Sequence, residues 1–295
     1  MSFFIDLLLI GISIGAVYAL LALGISFVYS GLDIINFAHP EFYMVGAYTG
    51  FVAVISGVPF PLAIIVSMVA TGLIGVIVER LFFRKLTAAG GGLTVNGMGI
   101  IICGFGIAIV MQNVVYLIFG AAPRALPTDF GAALTAGSIS IPRGYLWIVA
   151  MAAVIFGVLT AFLNGTRIGL AVRAVAYSKS SSSLMGINVP LYISIIFGVG
   201  CALAAAAGVL ASSVNFIVVQ MGYVIGIKAF ASAVVGGLGS LPGAVLGGIL
   251  IGLAETFGAA YLSAEYKDVY PFFIMILVLL IQPNGILGRG VKDKA

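Results

Sequence analysis

The chain has 295 residues, 62% of them apolar, and only 22 are charged, 13 Lys and Arg plus 9 Asp and Glu. A soluble domain is roughly a quarter charged, so a charged share of 7% leaves too little polar surface for water and points to a lipid bilayer. With one His, two Cys and one Trp the chain has no material for a multi-histidine metal centre, a zinc cluster or a disulfide framework, and its basic residues are scattered among apolar runs rather than gathered into a nucleic-acid face.

In chain order, Met1 to Asp6 carries an acid and no basic residue, unlike a removable leader, so the first apolar run is expected to stay as a helix. Four stretches hold no charge at all: Leu7 to Leu32, Phe42 to Val78, Leu86 to Pro123 and Ser180 to Ile227. About 20 apolar residues span the hydrocarbon, so each stretch holds one or two crossings. Helices are predicted near Leu8–Tyr29, Tyr43–Ser56, Phe60–Phe82, Thr94–Phe119, Tyr145–Leu163, Pro190–Ser213 and Val269–Ile281. Turn chemistry separates them at Gly57-Val58-Pro59-Phe60-Pro61, Gly90-Gly91-Gly92 and Asn188-Val189-Pro190. Cys103 and Cys201 fall inside apolar runs and read as small hydrophobes.

The piece from Gly226 to Ala260 differs, because seven glycines crowd around Leu241-Pro242. Gly and Pro both cost helix stability, so two shorter helices joined by a bend are expected. Irregular backbone at membrane depth survives only when buried in protein or lining a watery cavity; close packing through Gly243-xxx-Gly247 and Gly248-xxx-Gly252 is the other use of such glycines. A bulky side chain at Gly239 or Gly243 is expected to clash.

Basic residues in short loops report orientation. Arg80, Arg84 and Lys85, then Arg167, Arg173 and Lys179, then Arg289, Lys292 and Lys294 make nine of the thirteen, and their connectors are expected on the cytoplasmic side with the C-terminus. Arg124, Arg143 and Lys267 fall on the other side with the N-terminus, and Lys228 at or near a membrane edge. Whether the bent piece is re-entrant or crosses twice stays open.

Two segments stand out chemically. Asp33 to Glu41 (Asp-Ile-Ile-Asn-Phe-Ala-His-Pro-Glu) interrupts two apolar runs, and ionisable groups near membrane depth are expensive enough to mark function; an interfacial loop reaching water is the alternative. Asn164 to Pro190 begins as a short basic amphipathic helix and ends at Leu184-Met185-Gly186, which suits docking to a partner groove or lying against anionic lipid. No G-x-x-x-x-G-K-[ST] nucleotide loop and no hydrolase triad can be assembled, so the chain is expected not to be an enzyme, and no cofactor is implied.

Together, Gly15-Ala16-Val17-Tyr18-Ala19-Leu20-Leu21-Ala22-Leu23-Gly24, Ile35-Asn36-Phe37-Ala38-His39, Gly46-Ala47-Tyr48, Arg167 to Arg173, Leu184-Met185-Gly186-Ile187-Asn188, Gly236-Gly237-Leu238-Gly239-Ser240-Leu241-Pro242-Gly243-Ala244, Glu265-Tyr266-Lys267-Asp268 and Pro283-Asn284-Gly285-Ile286-Leu287-Gly288 resemble the permease subunits of bacterial ABC importers for branched-chain amino acids. The resemblance covers nearly the whole chain except Pro123 to Arg143. It implies an all-α polytopic membrane protein of about eight transmembrane segments in one domain, 1–295, with a cytoplasmic coupling segment at about 164–189. It also implies a multi-pass inner-membrane location and partners: a second related permease, two ATP-binding subunits that hydrolyse ATP, an extracytoplasmic binding protein, and lipid. Coupling to the ATPase is expected at Arg167, Arg173, Tyr177, Leu184, Met185 and Gly186. The path is expected along Asn36, Phe37, Glu41, Gly239, Ser240 and Pro242, with recognition mainly in the binding protein because the path is apolar. Pro40 stands where many relatives have Gly, and Ser178-Lys179 where they usually carry an acid. The alternatives are the same machine carrying urea, a short amide or another amino acid, or an ion-coupled secondary transporter, for which only Glu255 looks well placed.

Overall fold

The structure is a computed structural model and describes residues 2–33, 35–88, 95–128, 130–131, 134–136 and 139–288. The expected turn at Gly90-Gly91-Gly92 and the basic residues Arg289, Lys292 and Lys294 lie outside the described residues. In order, the elements are α1 (Ser2–Leu32), α2 (His39–Ile55), α3 (Phe60–Val78), a π turn (Glu79–Phe83), α4 (Arg84–Ala88), α5 (Val95–Phe119), β1 (Leu134–Ala136), β2 (Ile139–Ile141), α6 (Arg143–Gly165), α7 (Arg167–Tyr177), α8 (Lys179–Leu184), α9 (Val189–Ser212), α10 (Met221–Gly236), α11 (Leu241–Tyr261) and α12 (Tyr270–Ile281). Among the described residues six helical stretches are long and apolar enough to cross a membrane, and α10 and α12 are shorter apolar helices. The one hairpin, β1 antiparallel to β2 with Thr135 opposite Ser140, falls in the Pro123 to Arg143 loop.

Helices α1 and α9 form the axis of the bundle: α11 lies along α1, while α2 and α3 both pack on α9. Lipid provides no hydrophobic drive between helices, so association depends on close backbone approach through small residues. The contacts obey this. Gly15 and Gly252 oppose each other between α1 and α11, Gly46 meets Ala205, and Gly75 meets Cys201, leaving no room for a side chain at any of these glycines. The outer helices α3, α5 and α6 turn apolar side chains such as Leu73, Ile109 and Val158 outward.

Residues near one end of the bundle include Asp33, Arg84, Lys179 and Pro190, since Lys179 pairs with Asp33 at 2.9 Å and Arg84 donates to the Pro190 carbonyl at 3.0 Å. The α10–α11 bend belongs to this basic end, because Gly239 faces Tyr29 near the end of α1. At the opposite end Arg124 and Ile217 exchange backbone hydrogen bonds. In the bent piece, α10 runs toward the basic end and α11 runs away from it.

Two boundaries moved for physical reasons. The helix expected to run to Phe82 opens into the π turn Glu79–Phe83, where Glu79 is buried and accepts from Arg84 at 3.3 Å and from Ser194 Oγ on α9 at 2.5 Å. The extra residue of a π turn brings this acid round onto α9. Helix α2 starts at His39 rather than Tyr43, with Pro40 in its first turn, where the missing N–H is harmless.

Candidate functional site

The segment between α1 and α2 is irregular backbone inside the bundle. His39 packs against Gly24 of α1 and Gly200 of α9; Gly24 lies eight residues before the end of α1, roughly 12 Å along the axis at 1.5 Å per residue. Backbone at that depth needs internal partners. Asn36 supplies one, its Oδ1 accepting from the Ala38 N–H at 3.0 Å, and the His39 N–H donates to the Asn36 carbonyl at 3.1 Å. Phe37 stacks on Phe105 of α5 with ring centroids 4.7 Å apart, so α5 covers the segment. His39 and Glu41 do not reach water as an interfacial loop would have them; Asp33 does.

Glu41 is 2% exposed. Its Oε1 accepts from Gln112 Nε2 of α5 at 2.9 Å, while Oε2 lies against Gly222 of α10 without a hydrogen-bond partner. The other three expected path residues lie elsewhere. Gly239 and Pro242 are exposed and Ser240 is half-buried at the basic end of the bundle, whereas Gly222 stands near the start of α10. The set thus divides into two groups at opposite ends of one helix. The bend itself is built from Gly237 and Gly239 at φ +104° and +83°, with Ser240 capping α11 by accepting from the Gly243 N–H at 3.3 Å. Gly243 packs directly on Gly236. At Gly239 the expected clash is absent, since an added carbon would meet only Tyr29 at 3.7 Å; what resists substitution there is the positive φ. The Pro283 to Gly288 motif closes this end: Ile286 and Leu287 donate backbone N–H groups to the Val235 and Gly236 carbonyls at 2.9 and 3.0 Å, satisfying the last carbonyls of α10.

Lys228 is 5% exposed. Its Nζ lies 2.6 Å from Glu255 Oε1 and 2.7 Å from Asp268 Oδ1, and Tyr18 OH donates to Glu255 Oε2 at 2.8 Å. Helices α1, α10 and α11 are thereby clamped with the loop before α12. The Lys228 hydrogen bond, together with the charges of Lys228 and Lys267, holds the Asp268 carboxyl below the usual carboxylate range, outweighing the upward push of burial. A charged residue within an apolar run was the available signal for this clamp; its partner was not readable.

At the basic end, α7 buries Gly169, Val172 and Val175 and starts on Thr166, whose hydroxyl accepts from the Gly169 N–H at 2.9 Å. Arg167 and Arg173 are exposed, the latter donating to Asn164 at 3.2 Å. The far end of α7–α8 presents Tyr177, Leu184 and Met185 at 77%, 90% and 81% exposure, followed by Gly186 at φ +79° with open space around it. Asp33, itself at φ +58°, ties this element to the buried segment through Lys179.

A family model described as branched-chain amino acid transport system / permease component matches residues 7–279. The high-affinity branched-chain amino acid transport system permease protein LivH of Escherichia coli (strain K12) is 37% identical, with 99% of this chain and 98% of that one aligned. BraD of Pseudomonas aeruginosa, named as the permease protein of a system of the same kind, is 39% identical over 96% and 95% of the two chains. Among solved structures, a chain of PsaBC from Streptococcus pneumoniae in complex with Fab superposes with a TM-score of 0.51 at 13% identity, over 96% of this chain and 93% of that one; the fold is shared. With its crossing helices, glycine-lined contacts and bent pair in the places the family motifs occupy, this multi-pass membrane protein belongs to the branched-chain amino acid transport system permease family.

Proposed function

We propose that the chain is the inner-membrane permease subunit of an ATP-driven importer for branched-chain or related small amino acids, catalytically inert itself. The observation that carries this reading is the exposed apolar tip formed by Tyr177, Leu184 and Met185 on a serine-rich basic connector. Such side chains gain nothing from water and fit a groove on a partner. Family membership supports the identity of that partner as a pair of ATP-binding subunits, and the names of LivH and BraD support the cargo. On this reading residues 1–295 form one permease domain with 164–189 as its coupling segment. The basic end faces the cytoplasm with the C-terminus, and a second related permease and an extracytoplasmic binding protein complete the machine. Asn36, Phe37 and Glu41 serve the path within the bundle, and the Gly239-Ser240-Leu241-Pro242 bend serves it at the cytoplasmic mouth.

The test is uptake by the purified complex in proteoliposomes, with the binding protein outside and ATP on the other side. L-leucine is expected to accumulate only with ATP and the binding protein, with urea not transported. Leu184→Asp with Met185→Asp is expected to abolish uptake and cargo-stimulated ATP hydrolysis in a complex that still inserts. Accumulation driven by a proton or sodium gradient without ATP would overturn the reading.

A further inference from the structure

Buried polar groups in proteins almost always have hydrogen-bond partners, so those without one mark a place where something else belongs. On the segment from Asn36 to Glu41 such groups crowd together: Asn36 Nδ2, both ring nitrogens of His39, and Glu41 Oε2. Glu41 matters most, because an isolated carboxylate away from water is far costlier than a neutral group. No Lys or Arg among the described residues bonds to it. The ammonium buried elsewhere in the bundle, on Lys228, is already held by Glu255 and Asp268.

The unpartnered oxygen is enclosed where three helices meet. Helix α2 packs against both α5 and α10, and those two hardly touch each other, so Glu41 sits on the element that joins them. Gly222 makes up one wall, where even a methyl group would come within 2.9 Å of Glu41 Oε2. Gln112, half-buried, covers the other oxygen. Tyr223 beside Gly222 and Asn113 beside Gln112 are exposed, so the enclosed carboxyl lies behind residues at the outer face of the chain. No group of three or more His, Cys, Asp or Glu that fits a metal exists among the described residues. One carboxylate with an open oxygen suits a cation that brings its own hydrogen-bond donors.

We infer that Glu41 is a subsite for the primary ammonium of the cargo, its Oε2 accepting from that ammonium when α10 moves off it, while Gln112 keeps Oε1. The inference rests on the amino-acid reading above for the identity of the cargo. It adds a fixed charge to a path that is otherwise apolar, so the cargo's own charge is met inside the permease and not only in the binding protein.

The test uses the assembled complex in lipid nanodiscs and proteoliposomes with two fragments of leucine: 3-methylbutylamine, which keeps the ammonium, and 4-methylpentanoate, which keeps the carboxylate. On the unaltered complex, infrared difference spectra are expected to show a carboxylate band perturbed by the amine and untouched by the acid. The band is expected to disappear in Glu41→Gln, a neutral replacement of the same size that still accepts from Gln112. Leucine uptake should fall at least tenfold in Glu41→Gln and be partly retained in Glu41→Asp. Absence of any amine-dependent carboxylate change in the unaltered complex, or its persistence in Glu41→Gln, overturns the subsite, as does wild-type leucine uptake by Glu41→Gln. If the amine band appears and depends on Glu41 while the unaltered complex fails to transport leucine, the ammonium subsite stands and the amino-acid reading falls.

Discussion

Two of the carboxylates buried inside this bundle lie in opposite circumstances. Glu255 has both oxygens engaged, by Lys228 and Tyr18, and Lys228 is further held by Asp268. Glu41 has one oxygen held by a neutral amide and the other by nothing. A buried charge is tolerable when paired and fully hydrogen-bonded and expensive when it is not, so the first site is built to hold three helices together and the second to receive a partner. Burial alone does not separate them, since both acids are under one-tenth exposed; the accounting of each oxygen does.

The comparison breaks most sharply at Lys228. Lys228→Met leaves Glu255 charged and buried with only Tyr18 beside it, and removing one member of a buried pair typically costs about 3–5 kcal/mol. Thermal unfolding of the purified chain in detergent is expected to show that loss, and pairing the change with Glu255→Met should recover most of it. A single substitution as stable as wild type would make the clamp ornamental.

A contrast of the second rank lies in the α10–α11 bend. Gly243→Leu drives a side chain into Gly236, and overpacking costs about 1–3 kcal/mol. Gly239→Leu starts at ordinary contact distance from Tyr29 and is opposed chiefly by its left-handed backbone, at roughly 1–2 kcal/mol. The first is expected to impair assembly and the second to assemble and bias the bend, read by the mass of the complex and by its uptake. Equal effects would show that packing, not backbone conformation, governs both positions.

On stability Glu41→Gln should be neutral or stabilising, because the amide oxygen still accepts from Gln112, no ion pair is lost and an unpaired buried acid is removed. A melting shift comparable to that of Lys228→Met would mean that Glu41 is a second clamp. The smallest effect belongs to Asp268. Its lowered carboxyl contributes stability that is full above the ordinary Asp value of 3.8 and is lost only as pH falls through the still lower folded value. Hydrogen exchange of the Leu262 to Val269 loop is expected to rise only in that acid window, and Asp268→Asn should remove the dependence. A loop that loosens between pH 5 and 7 would implicate another group.

Much of this was legible from the chain alone. Long charge-free runs and turn residues are local properties, so the crossings, the bend after Gly236 and the short amphipathic helix at Arg167 could be read residue by residue. Even there, the π turn at Glu79 escaped, and the acid it carries meets Ser194, 115 residues away.

What the sequence by itself determined is the solvent, the approximate limits of the long helices, and the family, since each depends on composition or on contiguous motifs. Tertiary structure decided the depth of the Asn36 to Glu41 segment, the division of the path residues into two groups, and the partners of the buried charges. Tyr18, Lys228 and Glu255 are brought together across 237 residues, and Lys179 finds Asp33 from another part of the chain. Nothing in a hydropathy pattern says which face of one helix meets which face of another. That choice is made by the small residues that let backbones approach, and it settles whether a buried acid is satisfied or left open.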